Sequence, residues 1–481
     1  MSLTSPAFFA FLAITVIAFH LTVSVAIRRA VLTVAAAVFI ASYLTDAVQA
    51  VPLLLFLALG YTCLRFVQAG RAGAAMAACV VAIVISYIYL KRFSFTDAFV
   101  TPLPFAYLTL GLSYVLFRII QVVVDAGSGE LPNRVGPFAF FRYTCNFLCF
   151  VSGPIQRYQD FAATDGLIAA PLDADRVYRA FSRIVTGYMK FVVVAASANY
   201  LYTQLSAPLL DAAPASLAKL CIIYSLTAAA YTAYLYFNFS GYMDIVIGIG
   251  VLLGQALPEN FDRPFSARSF LEFWQRWHMT LSNWFKLYLF NPFLMFLMAR
   301  VPAPALTAYL GVIAFFVTFL VMGVWHGTTR VFVIYGLLMG AGASVNKLWQ
   351  LFCTRRLGKK RYKALGQTTA YSYAARSLTF AYFTAALTCL WLPELPEFLQ
   401  VVNRLGLAGM VGALILLTLG FGVVALALDA VIAALAARGP AIQAAAGGLV
   451  VRNMGLATRL LAIFAIASLF NKAPEFVYRA F

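Results

Sequence analysis

Residues 305–327 read ALTAYLGVIAFFVTFLVMGVWHG, a run without a single charge until it meets Trp325, His326 and Gly327. About 20 consecutive apolar residues suffice to cross a bilayer as a helix, and lipid admits only backbones whose polar groups are satisfied internally. This stretch therefore predicts a membrane-spanning helix. Comparable runs occupy 7–25, 51–67, 74–90, 103–124, 184–205, 217–236, 376–391, 408–430 and 457–471. The chain has 481 residues, 63% of them hydrophobic and only 11% charged, against about 25% charged in a soluble domain. The fold class expected is all-α: a polytopic helical membrane protein with about 11 membrane segments. Several runs fall short of a full span, which predicts tilted, re-entrant or interfacial helices beside them.

Run 7–25 has no basic residue before it and no small-residue cleavage pattern after it, so it is expected to stay as a helix rather than be removed as a signal peptide. The seven cysteines lie mostly inside apolar runs, which is core usage rather than a disulfide framework. Cys145 and Cys149 sit four apart on an expected helix, with no third ligand nearby, and no metal is expected. The net charge of +18 bears first on topology, because Lys and Arg in short loops favour the cytoplasmic side. RRLGKKRYK at 355–363 is read as such a loop, an orientation signal in contact with anionic lipid headgroups. The sharper alternative is a collar that attracts an anionic donor. No basic soluble domain exists, so nucleic acid is not an expected partner.

The chain reads as a single integral membrane domain, 1–481, in three zones. Residues 1–135 are plain helices with short basic loops at Arg28–Arg29 and Lys91–Arg92. Residues 136–350 hold nearly all the unusual polar chemistry, and 351–481 return to plain helices. Two stretches are expected to face water, 156–183 with Asp160, Asp165, Asp173 and Asp175, and 257–276. Gly250/Gly254 and Gly336/Gly340 are spaced for close helix approach. Trp349 and Trp391 read as interfacial anchors. Within FWQRWHMTLSNWFK at 273–286, Trp274, Trp277 and Trp284 flank a histidine, and are expected to seat a half-buried helix at the interface and shape a cavity.

Three histidines can be weighed singly. His20 ends the first helix without polar company and reads as a core or interfacial residue. His326 closes the apolar run at 305–327, and an ionisable residue at membrane depth is a functional candidate by default. A neutral imidazole can take a proton at physiological pH, and Gly327 is expected to leave room beside it. His326 is placed first as a catalytic base and His278 second, since its neighbours could equally hold it as a structural partner. Asp244, in FNFSGYMDIVIGIG, is either a carboxylate satisfied by an Arg or hydroxyl or an orienting residue in a pathway. No nucleophile elbow, HExxH, Walker loop or dinucleotide fingerprint is present.

Four ordered stretches, FVSGPIQRYQDF at 150–161, FNFSGYMDIVIGIGVLLG at 237–254, ENFDRPFSARSFLEFWQRWHMTLSNWFKLYLFNP at 259–292 and GVWHG at 323–327, resemble the membrane-bound O-acyltransferases. The likeness is to the bacterial branch of alginate O-acetyltransferases and teichoic-acid D-alanyl transfer proteins. It covers about residues 105–350, with a weaker match at the C-terminal FVYRAF. The resemblance implies a central tunnel and acyl transfer from a thioester to a hydroxyl, with His326 at the essential intramembrane histidine and His278 at the second motif position. It implies no tightly bound cofactor. The donor would be an acyl-CoA (acetyl-CoA) or an acyl-carrier thioester. Partners would be membrane lipid, a periplasmic or extracellular acyltransferase, polysaccharide synthesis machinery and, in the carrier case, an acidic carrier protein. The setting would be the cell inner membrane, multi-pass. Trp325, Asn283 and Arg276 are candidate donors to an oxyanion, and Trp274, Trp277, Asp244 and Gly327 join them as candidate substrate or tunnel-lining residues. Two departures leave acyl group, acceptor and partner open: Arg330 stands where the alginate-type pattern usually has an aromatic, and LYLFNPF replaces its DYLYIPLGG. Acetylation of a secreted polysaccharide is the first choice and D-alanylation the second. Two readings from other classes are an exporter of polymer or anion, which predicts charges strung along a pore, and a scaffold that would tolerate loss of both histidines.

Overall fold

A computed structural model describes residues 1–70, 73–131, 134–167, 172–211, 214–437 and 449–469. Among them the protein is helical throughout, and the only extended pairing is one antiparallel bridge between Phe261 and Trp277. The helices are α1 (Pro6–His20), α2 (Val25–Ala41), α3 (Val51–Gln68), α4 (Ala74–Lys91), α5 (Leu112–Gly127), α6 (Pro137–Thr144), α7 (Tyr158–Ala162), α8 (Ala174–Tyr188), α9 (Ala195–Leu210), α10 (Leu217–Leu252), α11 (Phe270–Trp274), α12 (Met279–Phe285), α13 (Asn291–Arg300), α14 (Thr307–Trp325), α15 (Val331–Gln367), α16 (Thr369–Ala386), α17 (Thr388–Trp391), α18 (Leu395–Ala437) and α19 (Leu449–Leu469).

Seven helical stretches among the described residues are long and apolar enough to cross a bilayer: Ala47–Gln68, Ala74–Lys91, Ala174–Leu210, Leu217–Leu252, Pro304–Trp325, Val331–Gln367 and Leu395–Ala434. Two shorter apolar helices are Pro6–His20 and Asn453–Ser468. The chain is a polytopic helical membrane protein. Against the eleven segments expected, the differences have local causes. Run 103–124 yields no helix before Leu112, and α5 then has thirteen buried residues, including Arg118, Gln121 and Asp125. Val331–Gln367 is apolar over its first half and charged over its second, so it did not stand out as a run.

Among the described residues the chain divides into two compact units, Met1–Gly187 with Tyr242–Glu259, and Tyr188–Gly241 with 260–469. In the first, α5 packs against α3 and α4, so closely that a Cβ on Gly60 would meet Ile119 Cγ2 at 2.6 Å. Arg118 is buried and donates to the carbonyls of Thr144 (2.9 Å) and Cys149 (2.6 Å). The Thr144 carbonyl is one that the end of α6 leaves without a helical donor, and the chain beyond it, through Cys149, is not helical. Cys145 and Cys149 therefore lie on the turn after α6, not on a helix. His20 Nε2 contacts the Leu252 carbonyl at 2.7 Å, the structural role expected of it. Asp165 is buried rather than water-facing. Arg142 grips it in a two-pronged pair at 3.0 and 2.6 Å, and Arg29 joins at 3.2 Å. Arg28 and Arg29 lie inside α2, not in a loop.

In the second unit, α10 packs through hydroxyls, with Tyr224 on Thr388 (2.8 Å) and Thr232 on Thr384 (3.1 Å). α14 and α15 form its tightest pair. A Cβ on Gly323 would lie 2.1 Å from Gly336 Cα, and one on Gly340 would lie 2.9 Å from the Phe316 carbonyl, so the small-residue reading holds for Gly336 and Gly340. For the other pair it fails, because Gly254 sits at φ +69° in the turn that ends α10. Residues 355–363 are helical, not a loop, and the axis breaks at Gly358 (φ 76°). Trp391 is buried against Tyr202 and Tyr224 instead of anchoring an interface. The FVYRAF segment lies outside the described residues.

Candidate active site

The site grows from the hairpin that FWQRWHMTLSNWFK forms in the second unit. Ser269 caps α11 by accepting from the Glu272 amide at 3.2 Å, and Glu272 reaches back to the Arg268 amide at 2.9 Å, a variant of the capping box. The chain then pairs with the preceding segment: Asp262 N–H donates to the Arg276 carbonyl (2.9 Å) and Met279 N–H to the Asn260 carbonyl (3.0 Å). Between these ties His278 takes φ 46°, ψ 49°, in the left-handed region, and starts α12. That conformation is uncommon for a side-chain-bearing residue and is held by its surroundings. It directs the imidazole inward, 1% exposed, edge-on to Phe239 with centroids 4.8 Å apart.

The tryptophans here are core residues rather than interface anchors. Trp277 is 2% exposed and stacks on Phe273 at 5.4 Å with Phe383 at 5.3 Å. Trp274, 4% exposed, packs on Phe319 at 5.2 Å. Arg276 points away to ion pairs with Glu272 (3.1 Å) and Asp262 (3.3 Å), which brace the hairpin.

His326 follows α14 directly. Its Nδ1 lies 2.6 Å from the Met322 carbonyl. A carbonyl only accepts, so Nδ1 carries the proton and Nε2 is left as the basic nitrogen. Trp325 and Tyr335 flank the ring edge-on at 4.9 and 5.6 Å. His326 and His278 belong to the same compact unit. The space beside Gly327 is filled by Phe332, whose Cε2 would stand 2.1 Å from an added Cβ. That glycine serves packing, not substrate room.

A cavity of about 510 Å³ opens in the same unit. Trp274, Ser282, Asn283, Lys286, Met322 and Lys347 are on its wall, so Met322 links the cavity lining to His326. Trp274 and Asn283 line this cavity, whereas His278, His326, Trp277, Arg276, Trp325 and Gly327 are not among its lining residues. Asp244 belongs to the other unit, where Arg183 pairs with it at 3.1 Å and with Glu259 at 2.6 Å, the satisfied-carboxylate alternative. Met322, Lys286, Lys347 and Asn260 were missed. A carbonyl partner has no sequence signature, and the lysines read as ordinary surface charge. Asn260, a polar residue beside a block rich in aromatics, was the one visible signal.

Residues 127–392 match the model of the membrane-bound O-acyltransferase family. The chain belongs to that family. Within it, the protein is 32% identical to the teichoic acid D-alanyltransferase of Bacillus subtilis over 230 residues, 47% of this chain and 56% of the relative. It is 30% identical to the "probable alginate O-acetylase AlgI" of Pseudomonas fluorescens over 244 residues, 50% of this chain and 45% of the relative. A teichoic acid D-alanyltransferase of Streptococcus thermophilus is 31% identical over 53% of this chain and 60% of its own length. The chain spans about half the length of the curated relatives it matches.

Proposed function

We propose that this membrane-bound O-acyltransferase family member moves an acyl group, acetyl in the first instance, from a cytoplasmic thioester donor to hydroxyls of a secreted polysaccharide. The setting is the bacterial inner membrane. The observation that supports the reading is the 2.6 Å contact of His326 Nδ1 with the Met322 carbonyl, which leaves Nε2 as the nitrogen able to accept a proton. The acceptor hydroxyl gives its proton to Nε2 as its oxygen bonds to the thioester carbonyl carbon. The tetrahedral adduct collapses, the C–S bond breaks, and the thiolate recovers a proton from the imidazolium. No covalent acyl-protein intermediate is needed. Asn283, on the cavity wall, is the candidate donor to the oxyanion. Lys286 and Lys347 on the same wall support a phosphate-bearing donor, either a coenzyme A thioester or an acidic carrier protein. A periplasmic or extracellular acyltransferase partner and the polymer's synthesis machinery complete the pathway.

The D-alanyl relatives at 32% and 31% identity support a second reading, D-alanyl transfer from a carrier protein to an envelope polymer. Mass spectrometry of the secreted polymer and envelope fractions from a deletion strain separates the two. Loss of O-acetyl groups supports the first reading and loss of D-alanyl esters the second. Unchanged acyl content in both fractions overturns acyl transfer.

A further inference from the structure

Asn260 is fully buried and ties down three successive residues of the His278 turn. Its carbonyl accepts from the Met279 amide at 3.0 Å. Its Oδ1 accepts from the Thr280 amide at 3.0 Å and from Thr280 Oγ1 at 2.9 Å, and lies 3.3 Å from His278 Nδ1. A backbone amide can only donate, so the side chain of Asn260 must turn its oxygen, not its nitrogen, towards this group. His278 Nδ1 must then carry a proton. Asn260 Nδ2 is buried with no hydrogen-bond partner among the described residues.

We infer that Asn260 is a positioning residue for acyl transfer: it holds the His278 ring as the Nδ1–H tautomer, so that Nε2 is the ring's hydrogen-bond acceptor. This rests on the acyl-transfer reading. Both imidazoles then have Nδ1–H fixed on a neutral protein oxygen, Met322 for one and Asn260 for the other. Neither oxygen stabilises an imidazolium as a carboxylate would, so both rings stay neutral and able to accept. His326 is the titratable group facing His278. Phe239 and Asn260, which contact the ring, carry no charge, and Arg276, Glu272 and Asp262 pair with one another along the hairpin.

The test compares pH profiles of acyl transfer by the full chain in native membranes. Asn260→Asp keeps an oxygen for Nδ1–H but adds a negative charge that favours the protonated ring. The acid limb should move to higher pH by about 1–3 units, with rates approaching the unaltered protein's above it. His278→Asn retains a donor towards Asn260, hence the turn, but has no Nε2. It should lose at least about tenfold in kcat at normal abundance and unchanged donor KM. Asn260→Asp added to His278→Asn should leave the acid limb where His278→Asn puts it. An unmoved limb in Asn260→Asp, a shift that persists without His278, or full activity in His278→Asn overturns the role of Asn260. Absence of transfer by the unaltered protein instead overturns the acyl-transfer reading itself.

Discussion

His326 donates its Nδ1 proton to the carbonyl of Met322, one helical turn back, at 2.6 Å. In soluble enzymes a carboxylate often holds a catalytic histidine in this way. Inside a membrane a carboxylate costs several kcal/mol unless paired, whereas the last carbonyls of a helix are already without donors. The end of α14 thus supplies an uncharged orienting group at no extra cost. Met322 also lines the cavity, so the residue that sets the tautomer touches the space where substrate is proposed to lie.

That shared wall gives a first prediction. Asn283→Trp places a large ring in the cavity of about 510 Å³ while leaving His326 untouched. Donor KM should rise by about tenfold, equal to about 1.4 kcal/mol of binding, and kcat should fall as well because the oxyanion donor is lost, with protein abundance unchanged. Steady-state kinetics in membranes check this, and an unaltered KM would show that the donor does not use the cavity.

A second prediction concerns the support of the base. Gly323 faces the backbone of Gly336, so no side chain can yield when a Cβ is added. Gly323→Val should force α14 and α15 apart, costing about 1–3 kcal/mol. It should lower the melting temperature in detergent and reduce transfer together, because Met322 and His326 ride on the same helix. An unchanged melting temperature would contradict the close contact.

Third, Asp165 is a buried carboxylate held by Arg142. Asp165→Ala leaves that guanidinium buried and unpaired, which costs about 3–5 kcal/mol. Replacing both residues by apolar ones of similar size should recover most of the loss. Thermal unfolding of the single and double variants measures it. Equal stability of Asp165→Ala and the unaltered protein would contradict the pair's role.

The helical membrane class was legible because lipid imposes one pattern, long apolar runs, and six of the seven spanning helices coincide with runs seen in the sequence. Val331–Gln367 escaped because half of it is charged. Asp165 read as solvated because hydropathy cannot see the arginine that pairs it from 23 residues away. His326 and His278 stood out because ionisable groups are scarce in apolar surroundings, and the structure buries both in one unit. What the residues alone could not convey was tautomer and orientation. These depend on the Met322 carbonyl and on Asn260, contacts made by backbone geometry and by a left-handed turn at His278.

The most direct test is to measure polymer acylation by His326→Ala, with membrane abundance and melting temperature followed in parallel. Removing a general base should reduce transfer by about 100-fold to 10,000-fold, while abundance and melting temperature stay close to those of the unaltered protein. Acylation at the normal level in a well-folded His326→Ala protein would contradict the assignment of His326 as the base.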